Sequence, residues 1–281
     1  MTDFMGKALE NPIIASSCIA TEDVRRIMRL VSNGVQGIIL KSCADYKHSG
    51  VSDKRHFAVD KNGCIYASSH FEKEIMTIEE CIAMLSELRK KTDILLIPSF
   101  TAASLEPSEW LGPCHRLAQN GADGIQLDFF YMGDLIGTED LSRKLSSLLR
   151  ELVNDLPIPV MPKLNIDLPK NFIMPLLADA GIEYVSLLDS VRSPYLAEHD
   201  GRYIIDKRLD PQTTSCFGHW QMPLTLGYTY TAAQHGLKVC AGGGITSADD
   251  VRKLLAAGAA AVQSATFLTK YPDRAGELWQ T

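Results

Sequence analysis

Short runs of uninterrupted apolar residues alternate with amphipathic stretches along the whole chain, and a glycine closes one amphipathic stretch after another. The runs are Ile13 to Ser16, GIILK from Gly37 to Lys41, LLIPS from Leu95, GIQLDF from Gly124, PVMPK from Pro159, YVSLL from Tyr184, KVCAG from Lys238 and AAVQS from Ala260. Gly121, Gly181, Gly236 and Gly258 each precede one of these runs by a few residues, where a helix C-terminus calls for a left-handed residue. A strand with one wet face would alternate apolar and polar residues, whereas a wholly apolar run needs cover on both faces. That requires a parallel sheet clothed in helices. Eight such strands over 281 residues predict an α/β chain folded as a closed (β/α)₈ TIM barrel, in preference to an open doubly wound sheet. No linker, low-complexity tract or shift of composition divides residues 1–281, so a single domain is expected. Thr21 is the expected cap of the first helix, which runs to Asn33-Gly34.

Composition narrows the class. A hydrophobic content of 46% is enough for a large core, and a net charge of −6 without any Lys/Arg run argues against nucleic-acid or anionic-membrane surfaces. The seven cysteines contain no C-x-x-C pair and read as reduced thiols, and no segment has the apolar length of a signal peptide or a membrane span. A soluble, cytoplasmic protein is the expectation.

Two interruptions exceed ordinary βα loops: residues 43 to 77 after the second strand and residues 189 to 222 after the sixth. In a barrel both stand at the C-terminal mouth, where they could fold over a ligand as small hairpins. Polar residues end five of the strands: Lys41, Ser99, Asp128, Lys163 and Asp189. All are expected to project into that mouth. Burying two ammonium groups and two carboxylates is costly unless they are paired or serve a ligand. Structural ion pairs, Lys41 with Asp128 and Lys163 with Asp189, are the plainer alternative.

Near the C-terminus VCAGGGI breaks into Gly242, Gly243 and Gly244, and TSADDV opens a helix behind it with Ser247 as N-cap. About one helix later Ser264, Ala265 and Thr266 form a second strand-end turn. Tandem turns of this kind suit a phosphate, which glycines let the backbone approach closely. A merely flexible connection is the alternative. The histidines show neither H-x-x-x-H nor H-E-x-x-H spacing, and neither a nucleophile elbow nor a Walker loop occurs, so no metal site is expected.

NPIIASS, GIILKS, ADGIQLDFF, PVMPKLN, VSLLDS, AGGGITSADDV and SATFL, in that order, resemble the dihydroorotate dehydrogenase family of FMN barrels, most of all its dehydrogenase-like flavoproteins without assigned substrates. The resemblance implies FMN as cofactor, with Ala15 and Ser16 along the flavin, Lys41 and Ser42 at its ring and ribityl side, and Lys163 near N1 and O2 of the ring. It further implies phosphate contacts from Gly242, Gly243, Gly244, Ala265 and Thr266, a loop glycine at Gly218, a loop arginine at Arg55 and a homodimer. The family's substrate asparagines after the fourth and sixth strands correspond here to Asp128 and to Asp189, followed by Ser190.

Two departures bear on chemistry. An ionised Asp only accepts hydrogen bonds where Asn also donates, and the loop Phe129 to Asp134 (FFYMGD) lacks the family's Cys or Ser base, leaving Tyr131 and Asp134 as acid/base candidates. The expectation is an FMN-dependent oxidoreductase acting on a small molecule other than dihydroorotate, exchanging electrons with small molecules or a separate partner. Two other readings stay open: a barrel without redox activity serving as a binding or scaffold subunit, and a flavin-free lyase or aldolase forming a Schiff base on Lys41 or Lys163.

Overall fold

The computed structural model describes residues 2–45, 57–68, 75–129, 140–206, 208–209 and 214–280. All eight apolar runs are strands of one sheet: Ile13–Ala15, Gly37–Ile39, Leu95–Ile97 with Ser99–Phe100, Ile125–Asp128, Val160–Lys163, Tyr184–Leu187, Lys238–Ala241 and Ala259–Ser264. Every pairing within it is parallel. The architecture is therefore mixed α/β, with one large parallel sheet of eleven strands among the described residues. Pro98 splits one predicted strand in two, and the two-residue strands Cys43–Ala44 and Met76–Thr77 make up the rest.

Helices Val24–Ser32, Ile78–Arg89, Pro107–Gln119, Leu141–Asp155, Lys170–Asp179, Met222–Gln234 and Ala248–Ala256 separate the strands along the chain. Their starts obey local chemistry. Thr77 accepts from the Glu80 backbone while Glu80 reaches back, and Ser247 does the same with Asp250. The first helix departs from expectation: its cap is Asp23, which accepts from the Arg26 N–H. Thr21 instead ends a 3₁₀ turn, Ile19–Thr21, because its hydroxyl is bonded to the Ser16 and Cys18 carbonyls. Among the described residues no helix is long and apolar enough to cross a membrane.

Adjacent strand residues fall into different cores, as alternating side chains must. Ile13, Ile38, Leu96, Val160 and Val239 belong to the larger cluster with residues of the helices, while their neighbours Ile14, Ile39, Ile97, Met161 and Cys240 form a second cluster. Into that second cluster the hairpin Thr2–Phe4/Lys7–Leu9 inserts Phe4, Met5 and Leu9. Sequence reading assigned this N-terminal segment no role. Helix Pro107–Gln119 buries Trp110 edge-on against Phe100, at 5.5 Å, and 5.3 Å from Phe129. Each such aromatic contact is worth about 0.5–1.5 kcal/mol beyond area burial, and together they anchor the strand ends bearing Ser99 and Asp128.

The first long interruption folds as the expected hairpin, Phe57–Val59/Ile65–Ser68, but this hairpin does not stand alone. Ile65–Ser68 from the first pairs antiparallel with Thr214–Phe217 from the second, and Phe57–Val59 and Val191–Arg192 complete a four-stranded sheet. A separate hairpin, Leu196–His199/Arg202–Ile205, lies within the second. Neither interruption by itself holds enough strand to bury an apolar face, so they share one.

Candidate functional site

A cavity of about 780 Å³ opens at the C-terminal ends of the parallel strands, beneath the four-stranded sheet, and falls within the usual range for small-molecule sites. Side-chain alternation gives that sheet two different faces. Phe57, Ile65, Ala67, Ser215 and Phe217 turn toward the cavity, whereas Tyr66 points away and meets the Tyr195 ring at 5.0 Å.

Parallel register sets the charged side. Asp128 lies directly across from Lys163, and Lys163 across from Ser186, so strand ends 128, 163 and 189 converge. Lys163 Nζ is 2.8 Å from Asp189 Oδ2 and 3.8 Å from Asp128 Oδ2, with side-chain exposures of 13%, 18% and 2% for the three. The Lys163–Asp189 ion pair, offered from sequence as the plainer alternative, is thus present, extended to a second carboxylate. Lys41 and Ser190 also line the cavity, and Asp189 Oδ1 accepts from the Ser190 N–H at 2.7 Å.

Several sites differ from their sequence expectation in an instructive way. Ala15 is fully buried in the helix-facing core, and alternation gives the cavity to Ser16 instead. Ser99 does not open into the mouth; it lies fully buried behind Ser42. Ser42 is on the wall, but its hydroxyl donates to Asp128 Oδ2 at 2.8 Å. Gly242 lines the cavity with its backbone consumed by strand pairing: its N–H donates to Leu187 and its carbonyl accepts from Leu188. Its place calls for glycine because a Cβ there would overlap the Gln263 carbonyl.

Gly243 and Gly244 adopt φ of +101° and +89°, and a Cβ would meet Leu188 O at 2.9 Å and the Met222 nitrogen at 2.8 Å. Glycine is required by left-handed backbone and by packing behind the loop. The consequence for binding is that the Gly243 and Gly244 N–H groups have no acceptor among the described residues. Ala265 and Thr266 open the short helix Thr266–Lys270, whose first N–H groups are likewise without a helical acceptor. Gly218 lines the same cavity with φ of +152°. Arg55, Tyr131 and Asp134 lie outside the described residues, as do Phe130, Met132, His48, His56 and His70.

Sequence reading missed Ser17, Gln263 and Lys270, all on the cavity wall, and Gln126 behind it. A glutamine inside an otherwise apolar strand was the signal for two of them. Gln263 Nε2 donates to Ser186 Oγ at 2.7 Å and its Oε1 accepts from Ser16, tying strands together under the cavity floor. His219 also reaches the glycine side: its Nδ1 is 2.8 Å from the Gly244 carbonyl and therefore carries the proton. Burial pushes Asp250 up, but donation from the Thr246 backbone and hydroxyl and from Ser247 holds it below the ordinary value of 3.8. Cys18 is on the wall with its thiol pushed up by burial; Cys43 is fully buried, and all seven cysteines are free thiols. Among the described residues no cluster of His, Cys, Asp and Glu is arranged to hold a metal ion.

Comparison with family models finds no match, and comparison with curated proteins finds none either.

Proposed function

We propose that the chain is a closed (β/α)₈ barrel that binds FMN and works as an oxidoreductase on a small molecule other than dihydroorotate. Closure is supported by Leu95–Ile97 ending one side of the sheet while Ser99–Phe100 lies toward its other end. The two are one extended segment broken only at Pro98, so the sheet's ends meet along it.

The observation that carries the cofactor reading is one cavity bordered by two unlike surfaces. On the glycine side, the N–H groups of Gly243, Gly244, Ala265 and Thr266, with Lys270 beside them, suit a phosphate monoester. On the charged side, Lys163, held by Asp189 and Asp128, is a fixed cation suited to an electron-accepting ring. FMN, when bound, supplies two-electron redox chemistry. The chain's own residues do the rest. Asp128 and Asp189 orient Lys163, the side chains of Phe57, Ile65 and Phe217 give the cavity an apolar wall, and Thr266 and Thr269 add hydroxyls near the phosphate side. A homodimer, which the resemblance implies, and electron exchange with small molecules or a separate partner belong to the same reading.

The test compares FMN with riboflavin, which lacks the phosphate. Purified protein is titrated with each and followed by flavin fluorescence and absorbance. FMN should bind at least about tenfold more tightly, equivalent to ~1.4 kcal/mol. A protein that takes up neither flavin, or both equally, refutes the reading.

A further inference from the structure

Gly242, Gly243 and Gly244 carry three consecutive carbonyls, and each is held by a different donor. The Leu188 N–H takes the Gly242 carbonyl at 2.6 Å, the Thr225 hydroxyl takes that of Gly243 at 2.9 Å, and the His219 Nδ1–H takes that of Gly244 at 2.8 Å. Thr225 has one proton to give, and its other acceptor, the Gln221 carbonyl, is farther away at 3.3 Å. A trans peptide is planar with C=O and N–H on opposite edges, so fixing a carbonyl also fixes the N–H that follows it. These bonds therefore aim the Gly243, Gly244 and Ile245 N–H groups away from Leu188, Thr225 and His219. The side toward those residues is packed, since a Cβ on Gly243 would meet Thr225 Oγ1 at 3.0 Å and one on Gly244 the Met222 nitrogen at 2.8 Å. None of the three N–H groups has an acceptor among the described residues, and all three residues line the cavity. The row ends at Ile245, because the Thr246 and Ser247 N–H groups donate to Asp250 Oδ2 at 2.9 and 3.1 Å.

We infer that Thr225 and His219 are positioning residues for the phosphate of the ligand: by occupying the Gly243 and Gly244 carbonyls they hold a cradle of three amides, with the Ile245 N–H as its third member. An ionised phosphate oxygen only accepts hydrogen bonds, so a carbonyl that turned toward it would replace a donor by a repelling lone pair. Amides fixed in advance bind without the cost of being ordered by the ligand. Thr225 is fully buried and does not line the cavity, so it acts on a ligand only through the Gly243 peptide, and no water replaces its hydroxyl. The His219 side chain is 59% exposed, so water can partly take over its bond. The inference rests on the FMN reading only for the identity of the phosphate ester; the cradle recognises the phosphate group itself.

Two measurements on the intact protein test this: the ratio of FMN to riboflavin affinity, and the rise in melting temperature that inorganic phosphate gives over chloride at equal ionic strength. Thr225→Val removes the hydroxyl and keeps the shape, and should narrow the affinity ratio by about tenfold; His219→Ala should narrow it by about threefold. Thr225→Ser restores the hydroxyl, and His219→Asn places an amide nitrogen as many bonds from the backbone as Nδ1, so both should return the ratio to within about twofold of the native protein. Riboflavin affinity should stay the same in all of these variants, which a general loosening of the fold would not allow. The rise given by phosphate should fall in Thr225→Val and His219→Ala and return in Thr225→Ser and His219→Asn. A ratio and a rise unchanged in Thr225→Val and His219→Ala overturn the inference, as does an equal loss in Thr225→Ser and His219→Asn, or a native protein that responds to neither FMN nor phosphate. A native preference for FMN that these substitutions leave intact would remove this inference and spare the cofactor reading. Stabilisation by phosphate that falls in Thr225→Val and His219→Ala, without flavin uptake, would do the reverse.

Discussion

Replacing Lys163 with Met leaves Asp128 and Asp189 facing one another without their shared cation. Two opposite charges about 4 Å apart attract by roughly 4 kcal/mol at an effective dielectric of 20, and here the cation serves two such partners. Much of that gain is offset by desolvation, so the measured cost follows from removing one member of a buried set, about 3–5 kcal/mol. Asp189, at 18% exposure, can partly turn to water, whereas Asp128, at 2%, cannot, which favours the lower end, about 3 kcal/mol. For a chain of this size that lowers the melting temperature by roughly 6–12 °C. The assay is urea and thermal unfolding at neutral pH. The neutral triple variant Asp128→Asn/Lys163→Met/Asp189→Asn should recover most of the loss, because a complete buried ion set is often replaceable at little cost. A deficit under about 1 kcal/mol, or one that persists in the triple variant, refutes the account of Lys163 as the hub of this side.

Three other outcomes follow from particular positions. Gly244→Ala forces a side chain into a left-handed backbone at 2.8 Å from the Met222 nitrogen; it should cost about 1–2 kcal/mol of stability from the dihedral alone and weaken FMN binding about tenfold by flavin titration. Gly112→Ala is the opposite case, an exposed position within helix Pro107–Gln119 with open space around the added methyl, and should raise the unfolding free energy by about 0.5–1 kcal/mol without changing flavin uptake. Asp250 titrates below its ordinary 3.8 when folded, so its contribution is complete above that value and is lost as pH falls through the lower folded one. Asp250→Asn should therefore flatten the stability profile of the native protein below about pH 4; an unchanged acid limb would show that its bonds to Thr246 and Ser247 carry no stability.

The parts of this protein that were legible in sequence are those set by neighbours along the chain. Apolar runs such as YVSLL and AAVQS need cover on both faces wherever they are placed, and Ser247 caps a helix through residues three positions away. Even local rules had competitors: Thr21 has the chemistry of a cap, but carbonyls of Ser16 and Cys18 claimed its hydroxyl and left the role to Asp23. Across elements, local information ends. Lys41, Asp128, Lys163 and Asp189 could be put on one cavity because strand-end position in a parallel sheet decides it. The same argument misplaced Ser99, since whether a side chain stands in front of its neighbour or behind it depends on the register of Ser99 against Gln126.

The sequence by itself thus determined a parallel α/β sheet with its polar residues gathered at the strands' C-terminal ends, because periodicity, capping and burial are properties of short segments. Only the tertiary structure decided that the two long interruptions would share one sheet, that Gly242 would spend its backbone on Leu187 and Leu188, and that the Ser42 hydroxyl would be taken by Asp128. Each of these is a contact between segments far apart in the chain, selected by which acceptor happens to lie within 3.5 Å, and no pattern along one strand records that distance.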